Sequence, residues 1–275
     1  MNLLSCLFIS THLLNTGYTP ATPKPITDSI HTTVNKIKTT AEGTYELKWA
    51  DEFDGNTINK DNWTFETGNG RNGWGNNEKE YYQPDNAIVK DGQLIITARK
   101  QSMGGFPYTS SRMITKGKQE FTYGRIEARM KLPQGQGQWP AFWMLGANID
   151  AVSWPKCGEI DIMENTNTSD TILGTLHWFN TAYTYSGGKT TSTPTAYHVY
   201  SIDWTPKAIT WFIDGVQFHT VNITDELNGT DEFHKPFFLL LNLAIGGNLP
   251  GQQVDEDKLP ASMYVDYVRV YQLKK

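Results

Sequence analysis

Cysteine is almost absent from this 275-residue chain, which has only Cys6 and Cys157. Two thiols so far apart build neither a disulfide framework nor a zinc cluster. No apolar run reaches the roughly 18 residues that a membrane-spanning helix needs. Basic charge is not in surplus either. Lys and Arg number 24 against 29 Asp and Glu, for a net charge of −5. A nucleic-acid partner is therefore not expected, since it would favour a basic face. Helical periodicity is missing as well, and no segment longer than about ten residues shows it. At most, Asp225 to Leu227 forms one short turn. No internal repeat is found.

What remains is aromatic surface and strand pattern. Hydrophobic residues make up 38% and charged residues 19%, the balance of an ordinary folded chain. The nine Trp are more than one core needs. They suit either a core with large aromatics or a cleft where flat indole faces lie under pyranose rings. Residues Gln93–Lys100, Phe121–Leu132, Tyr197–Trp204 and Met263–Tyr271 are β-rich runs bounded by Gly, Pro, Asn or Asp. Between Ile209–Ile213 and Val216–Val221 stands Asp214-Gly215, a dipeptide suited to a type I′ hairpin turn. Short strands throughout predict an all-β chain, a single antiparallel β-sandwich of the jelly-roll type.

Three segments follow. Residues 1–15 hold a short apolar stretch like the centre of an export signal, without a basic start. Leu3-Leu4-Ser5-Cys6 resembles a lipobox, which would anchor the chain by a lipid on Cys6. A start site placed too far downstream would explain both oddities. Residues 16–44, rich in Thr, Pro and Lys, are expected to be a flexible spacer. Residues 45–275 are the expected sandwich. A secreted or cell-surface monomer is the expectation.

The chemistry concentrates in Gly158-Glu159-Ile160-Asp161-Ile162-Met163-Glu164-Asn165. On a strand, Glu159 and Asp161 share one face, while Ile160 and Ile162 face a core. Regular alternation then turns Glu164 away. A β-bulge near Ile162-Met163 would restore it to the acid face. Four effective steps at about 3.3 Å put the Glu159 and Glu164 Cα atoms roughly 13 Å apart. Side chains leaning inward would approach the ~5–5.5 Å between the carboxyls of a retaining glycosidase. Taken alone, the pattern fits paired catalytic carboxylates, a divalent-cation site of hard oxygens, or a solvated acidic strand face.

The segment GEIDIMEN resembles the signature of glycoside hydrolase family 16, in the bulged form typical of laminarinases. DEFDG, GWGNNEKEYY, TYGRIEARMKLP, WPAFWMLG, GTLHW, LNLAIGG and YVDYVRVY agree with it in order, over almost everything after residue 45. The resemblance implies a concanavalin A-like sandwich with a concave substrate cleft. It implies endo-acting hydrolysis of a β-1,3-glucan. Glu159 would be the nucleophile, Glu164 the general acid and then base, and Asp161 their orienting partner. It places Trp154, Trp139 and His177 beside the sugars. Asn77, Arg112, Trp178, Glu80 and Asn242 are further candidates for substrate contact, whereas Trp143 is expected to pack in the core. No cofactor is implied for catalysis. A structural calcium ion is implied, held by backbone oxygens of Glu52 and Gly92 and the carboxylate of Asp266. Rival expectations are relatives acting on mixed-linkage glucan, agar or carrageenan, a transglycosylase, and a non-catalytic β-glucan-binding protein.

Overall fold

The structure, a computed structural model, describes residues 37–40, 43–224 and 229–274. Cys6, the export segment and the expected turn at Asp225 to Leu227 lie outside the described residues. The described residues are dominated by strands. In chain order these begin with β1 (Ile37–Thr40), β2 (Gly43–Asp51), β3 (Thr64–Glu66), β4 (Glu80–Tyr82), β5 (Ala87–Lys90) and β6 (Gln93–Met103). Next come β7 (Phe106–Ser110), β8 (Arg112–Ile114), β9 (Glu120–Phe121), β10 (Gly124–Lys131), β11 (Gln138–Gly146), β12 (Glu159–Glu164) and β13 (Thr171–Asn180). The last are β14 (Ala182–Thr191), β15 (His198–Trp204), β16 (Ala208–Ile213), β17 (Val216–Asn222), β18 (Phe237–Ile245) and β19 (Ala261–Leu273). Among the described residues the α-helix amounts to one turn, α1 (Ile149–Val152).

The strands form two sheets. One has 11 strands, with the path β17-β16-β15-β10-β19-β6-β7-β4, and β1, β2 and β5 joined to its side. The other has eight, with the path β14-β13-β12-β11-β18-β8-β3, and β9 paired to β18. Pairing is antiparallel except between β4 and β7. The expected sandwich is thus the observed architecture. One expected boundary is not. Strand pairing begins inside the predicted spacer, because Ile37 to Thr40 pair with Glu46 back to Gly43. Lys38 explains the ordering, since its ammonium pairs with the fully buried carboxylate of Glu127. A buried carboxylate requires such partners.

Alternation builds the core. In β13, Ile172, Leu176 and Trp178 point between the sheets, and Thr175 and His177 point outward. In β18, Phe237, Leu239, Leu241, Leu243 and Ile245 join the intersheet core, whereas Phe238 and Leu240 pack into a second, smaller cluster with Ile114, Leu145 and Cys157. Burial on both faces explains why β18 is nearly continuous in apolar residues. The Asp214-Gly215 turn has both residues at positive φ, 49° and 81°, as a type I′ turn demands.

Candidate active site

The outward face of the eight-stranded sheet carries the acids, and a bulge puts them there. Against β11, Asp161 lies opposite Trp143, Met163 opposite Phe142 and Glu164 opposite Ala141, so Ile162 has no partner. The β13 ladder skips at the same place, from Asp161–Thr175 to Glu164–Leu173. Ile160, Ile162 and Met163 all enter the intersheet core, and Glu164 returns to the side of Glu159 and Asp161. A bulge disrupts the ladder and strands main-chain groups. Here the Asp161 carbonyl accepts a hydrogen bond from the buried Trp211 indole at 2.8 Å. Gly174 makes the room for that indole. A Cβ on Gly174 would lie 2.4 Å from Trp211 Cδ1.

Each glutamate has its own indole. Trp154 Nε1 donates to Glu159 Oε2 at 2.6 Å, and Trp139 Nε1 donates to Glu164 Oε1 at 2.9 Å. Asp161, 3% exposed, lies between them. His177 is in register with Glu159 on β13. Its Nε2 is 3.0 Å from Asp161 Oδ2, and its Nδ1 is 2.7 Å from the Tyr183 hydroxyl. Glu159, Asp161 and His177 bring one potential ligand atom each within 4.8 Å of one another, a clustering that serves proton sharing as well as cation binding.

Burial dominates the electrostatics. It pushes Glu159 up to about 8, helped by the charge of Asp161 and opposed by His177 and the Trp154 N–H. Burial also lifts Glu164 to about 7, opposed by the Trp139 N–H and helped by the charge of Glu159. Asp161 rises through burial and then through the charge of Glu164, while a hydrogen bond from Glu159 favours its ionised form. A low-dielectric site holding three carboxyls thus keeps protons that water would take.

The other sequence candidates separate into groups. Asn242 is buried, accepts from Trp143 Nε1 at 2.7 Å and donates to the Tyr82 hydroxyl at 3.1 Å. The Arg112 guanidinium lies over Trp74 at 4.5 Å and over Trp143 at 4.8 Å, and pairs with Glu66. Trp143 therefore lies on the acid side of the sheet, against the smaller cluster, and not in the main core as expected. Asn77 is exposed and donates to Asn248 at 2.9 Å, next to Gly247, where a Cβ would sit 3.2 Å from the Trp139 ring.

Two candidates are corrected. Glu80 is fully buried, and its Oε2 accepts the Ile245 N–H at 2.6 Å, so it braces β18 and does not reach a sugar. Trp178 points between the sheets, 5.9 Å and edge-on from Phe233. Strand parity demanded this, because its neighbour His177 faces outward. The expected cation ligands lie on the other sheet. The Glu52 carboxylate is held by Arg269 at 2.7 Å through both oxygens, and Asp266 Oδ2 accepts from Arg129 at 2.8 Å. Along β19, the β6 ladder starts at Leu94 opposite Val265, and the β2 ladder ends at Asp51 opposite Val268. Gly92 and Glu52 follow these ladder ends, and continuing either register leads toward Tyr267, the neighbour of Asp266. Tyr183, Tyr185, Gly174 and Trp211 were not foreseen from sequence.

Residues 74–269 match the model of glycosyl hydrolases family 16. The chain belongs to that family. A beta-glucanase of Rhodothermus marinus is 42% identical over 82% of this chain and 85% of its own length. The clotting factor G alpha subunit of Tachypleus tridentatus is 44% identical over 88% of this chain, which spans only 36% of that subunit. Among solved structures, the endo-beta-1,3-glucanase of Pyrococcus furiosus aligns at a TM-score of 0.80 and 42% identity, covering 88% of this chain and all of the other. Family 16 membership makes the chain a glycoside hydrolase.

Two predictions test this site. Gly174→Ala forces the Trp211 indole off the Asp161 carbonyl and is expected to cost about 1–3 kcal/mol. Denaturant unfolding measures it, and an unchanged midpoint would show that the indole yields freely. The second concerns pH. Carboxyls with an ordinary value of 4.5 titrate near 8 and 7 in the fold. Between these limits the unfolded chain binds fewer protons, so stability falls as pH rises. Glu159→Gln, which cannot ionise, should gain several degrees of melting temperature relative to the parent between pH 4.5 and 8. A constant difference across that range would contradict the burial argument.

Proposed function

We propose that this protein is a retaining endo-β-1,3-glucanase, with Glu159 as nucleophile and Glu164 as acid and then base. The observation that carries the reading is the bulge, which sets both glutamates on one face, each against its own indole donor. A Glu159 oxygen bonds to the anomeric carbon while the bond to the leaving glycosidic oxygen breaks. Glu164 gives its proton to that oxygen. Water then attacks the glycosyl-enzyme, Glu164 takes a proton from it, and Glu159 is released. Two displacements at one carbon retain the β configuration.

Burial lifts Glu159 to about 8 and Glu164 to about 7, so the roles rest on the bulged motif and not on titration order. A carboxyl held near 7 keeps a proton to give at neutral pH. Glu159 must shed its proton before attack. The Trp154 N–H and His177 both favour its charged form, against burial, the charge of Asp161 and the hydrogen bond to Asp161. The retention of both glutamates sets a non-catalytic binding protein aside. The linkage rests on likeness to proteins described as beta-glucanase and endo-beta-1,3-glucanase.

Purified protein should release reducing sugar from laminarin, and less or none from lichenan, agarose and carrageenan. Glu159→Ala should lower hydrolysis by roughly 10³-fold or more, with glucan binding kept. Cleavage of agarose without laminarin would overturn the substrate. Undiminished hydrolysis by Glu159→Ala would overturn the mechanism.

A calcium ion beside Asp266 is part of the same proposal, supported by the two ladder ends that lead toward the neighbouring Tyr267. It would tie β2, β6 and β19 together and take no part in the reaction. A chelator should lower the melting temperature by roughly 5 °C and calcium should restore it. Asp266→Ala should respond to neither, and an equal response in that variant would refute the site.

A further inference from the structure

Among the described residues, three aromatic side chains are exposed: Trp154, Tyr183 and Tyr185, at 48%, 49% and 66%. They are not scattered. Tyr183 is 5.3 Å from Trp154 and 6.1 Å from Tyr185, and both tyrosines stack on His177 at 5.9 and 6.2 Å. Aromatic pairs in the core are of both kinds, some stacked like Phe233–Phe237 at 23° and Phe53–Trp63 at 28°. Others, such as Trp178–Phe233 and Trp204–Phe237, cross edge-on, at 73° and 77°. The tyrosines and His177 lie nearly parallel, at 8°, 22° and 27°. Parallel rings present flat faces, which suit the apolar faces of pyranose rings. The Tyr183 ring is also fixed, because its hydroxyl is bonded to His177 Nδ1 at 2.7 Å.

Register ties the patch to the acids. Tyr185 pairs with His177, and His177 pairs with Glu159. Tyr185 therefore stands two strand spacings from the nucleophile, about 10 Å, on the same face. On the far side of the acids the row continues through Trp143, Asn242 and Arg112. On this side, β14 is the sheet edge. The next outward residue after Tyr185 is Gly187, opposite Thr175, which is opposite Asp161. Its missing side chain leaves that edge low.

We propose that Tyr183 and Tyr185, together with Trp154, form a shelf that grips a β-glucan chain beyond the reacting sugars as it crosses the β14 edge. The proposal rests on the glucanase reading and deepens it, making chain length a determinant of binding at this end of the site. Tyr185 reaches no acid, so its contribution is to holding the chain.

The test measures kcat and KM of the full chain on laminarin oligosaccharides of short and long length. Tyr185→Ala should raise KM for the long substrates by roughly tenfold, with a much smaller change for laminaritriose. Tyr185→Phe, which keeps the ring, should stay close to the parent. Equal losses on both lengths would mark a structural role and overturn the shelf. So would unchanged kinetics in Tyr185→Ala with an active parent. A concentration-dependent dimer that Tyr185→Ala dissolves would make the patch a subunit contact, and would overturn it too. A parent inactive on every β-1,3-glucan would overturn the functional reading and this inference together.

Discussion

The Trp211 indole donates to the main-chain oxygen of Asp161 at the point where β12 leaves its regular ladder. An extra residue in a strand leaves a carbonyl without its cross-strand donor, and a buried orphan of that kind costs about 1–3 kcal/mol. The indole removes the cost from inside the sandwich, and the bare Gly174 lets it come close enough. Everything on the outward face depends on this. With the bulge held, Ile162 and Met163 both enter the core and Glu164 comes round beside Glu159. Without it, one glutamate would face the core and the row would hold two acids instead of three.

Three buried carboxyls on one strand face would ordinarily repel and unfold the site. Several donors make the arrangement tolerable. Trp154 and Trp139 each bring an N–H to a different glutamate, and His177 stands against Asp161. Shared protons do the rest, since burial lifts all three acids above their ordinary range. The site is thus polar at its centre and aromatic at its margins. Its base is a hydrophobic sheet, which β18 seals on both faces.

Much of this was legible in the sequence, for physical reasons that differ by residue. Alternation gave the strands, and a failure of alternation at Glu164 gave the bulge. Asp214-Gly215 gave its hairpin because few dipeptides take positive φ twice. The same parity rule should have turned Trp178 inward, since it adjoins outward-facing His177, but nine tryptophans in a sugar-binding setting drew it toward the substrate. Glu80 failed for another reason. A glutamate that braces a neighbouring strand through one backbone N–H leaves no mark in its own segment. Lys38 likewise ordered a strand inside an apparent spacer, through a partner 89 residues away. Tyr183 and Tyr185 did leave a mark, an alternating Tyr-Thr-Tyr run before Ser-Gly-Gly, yet their position beside the acids depends on a register that only pairing reveals.

The two indole donors come from different parts of the structure. Trp139 belongs to β11, locked between β12 and β18, whereas Trp154 sits in the loop between α1 and β12. Loops accept sequence change more readily than central strands. The indole on Glu164 is therefore held by a central strand, and the indole on Glu159 is held by a surface loop. Changing that one loop would alter the hydrogen bond to Glu159 while leaving the Trp139 bond to Glu164 in place.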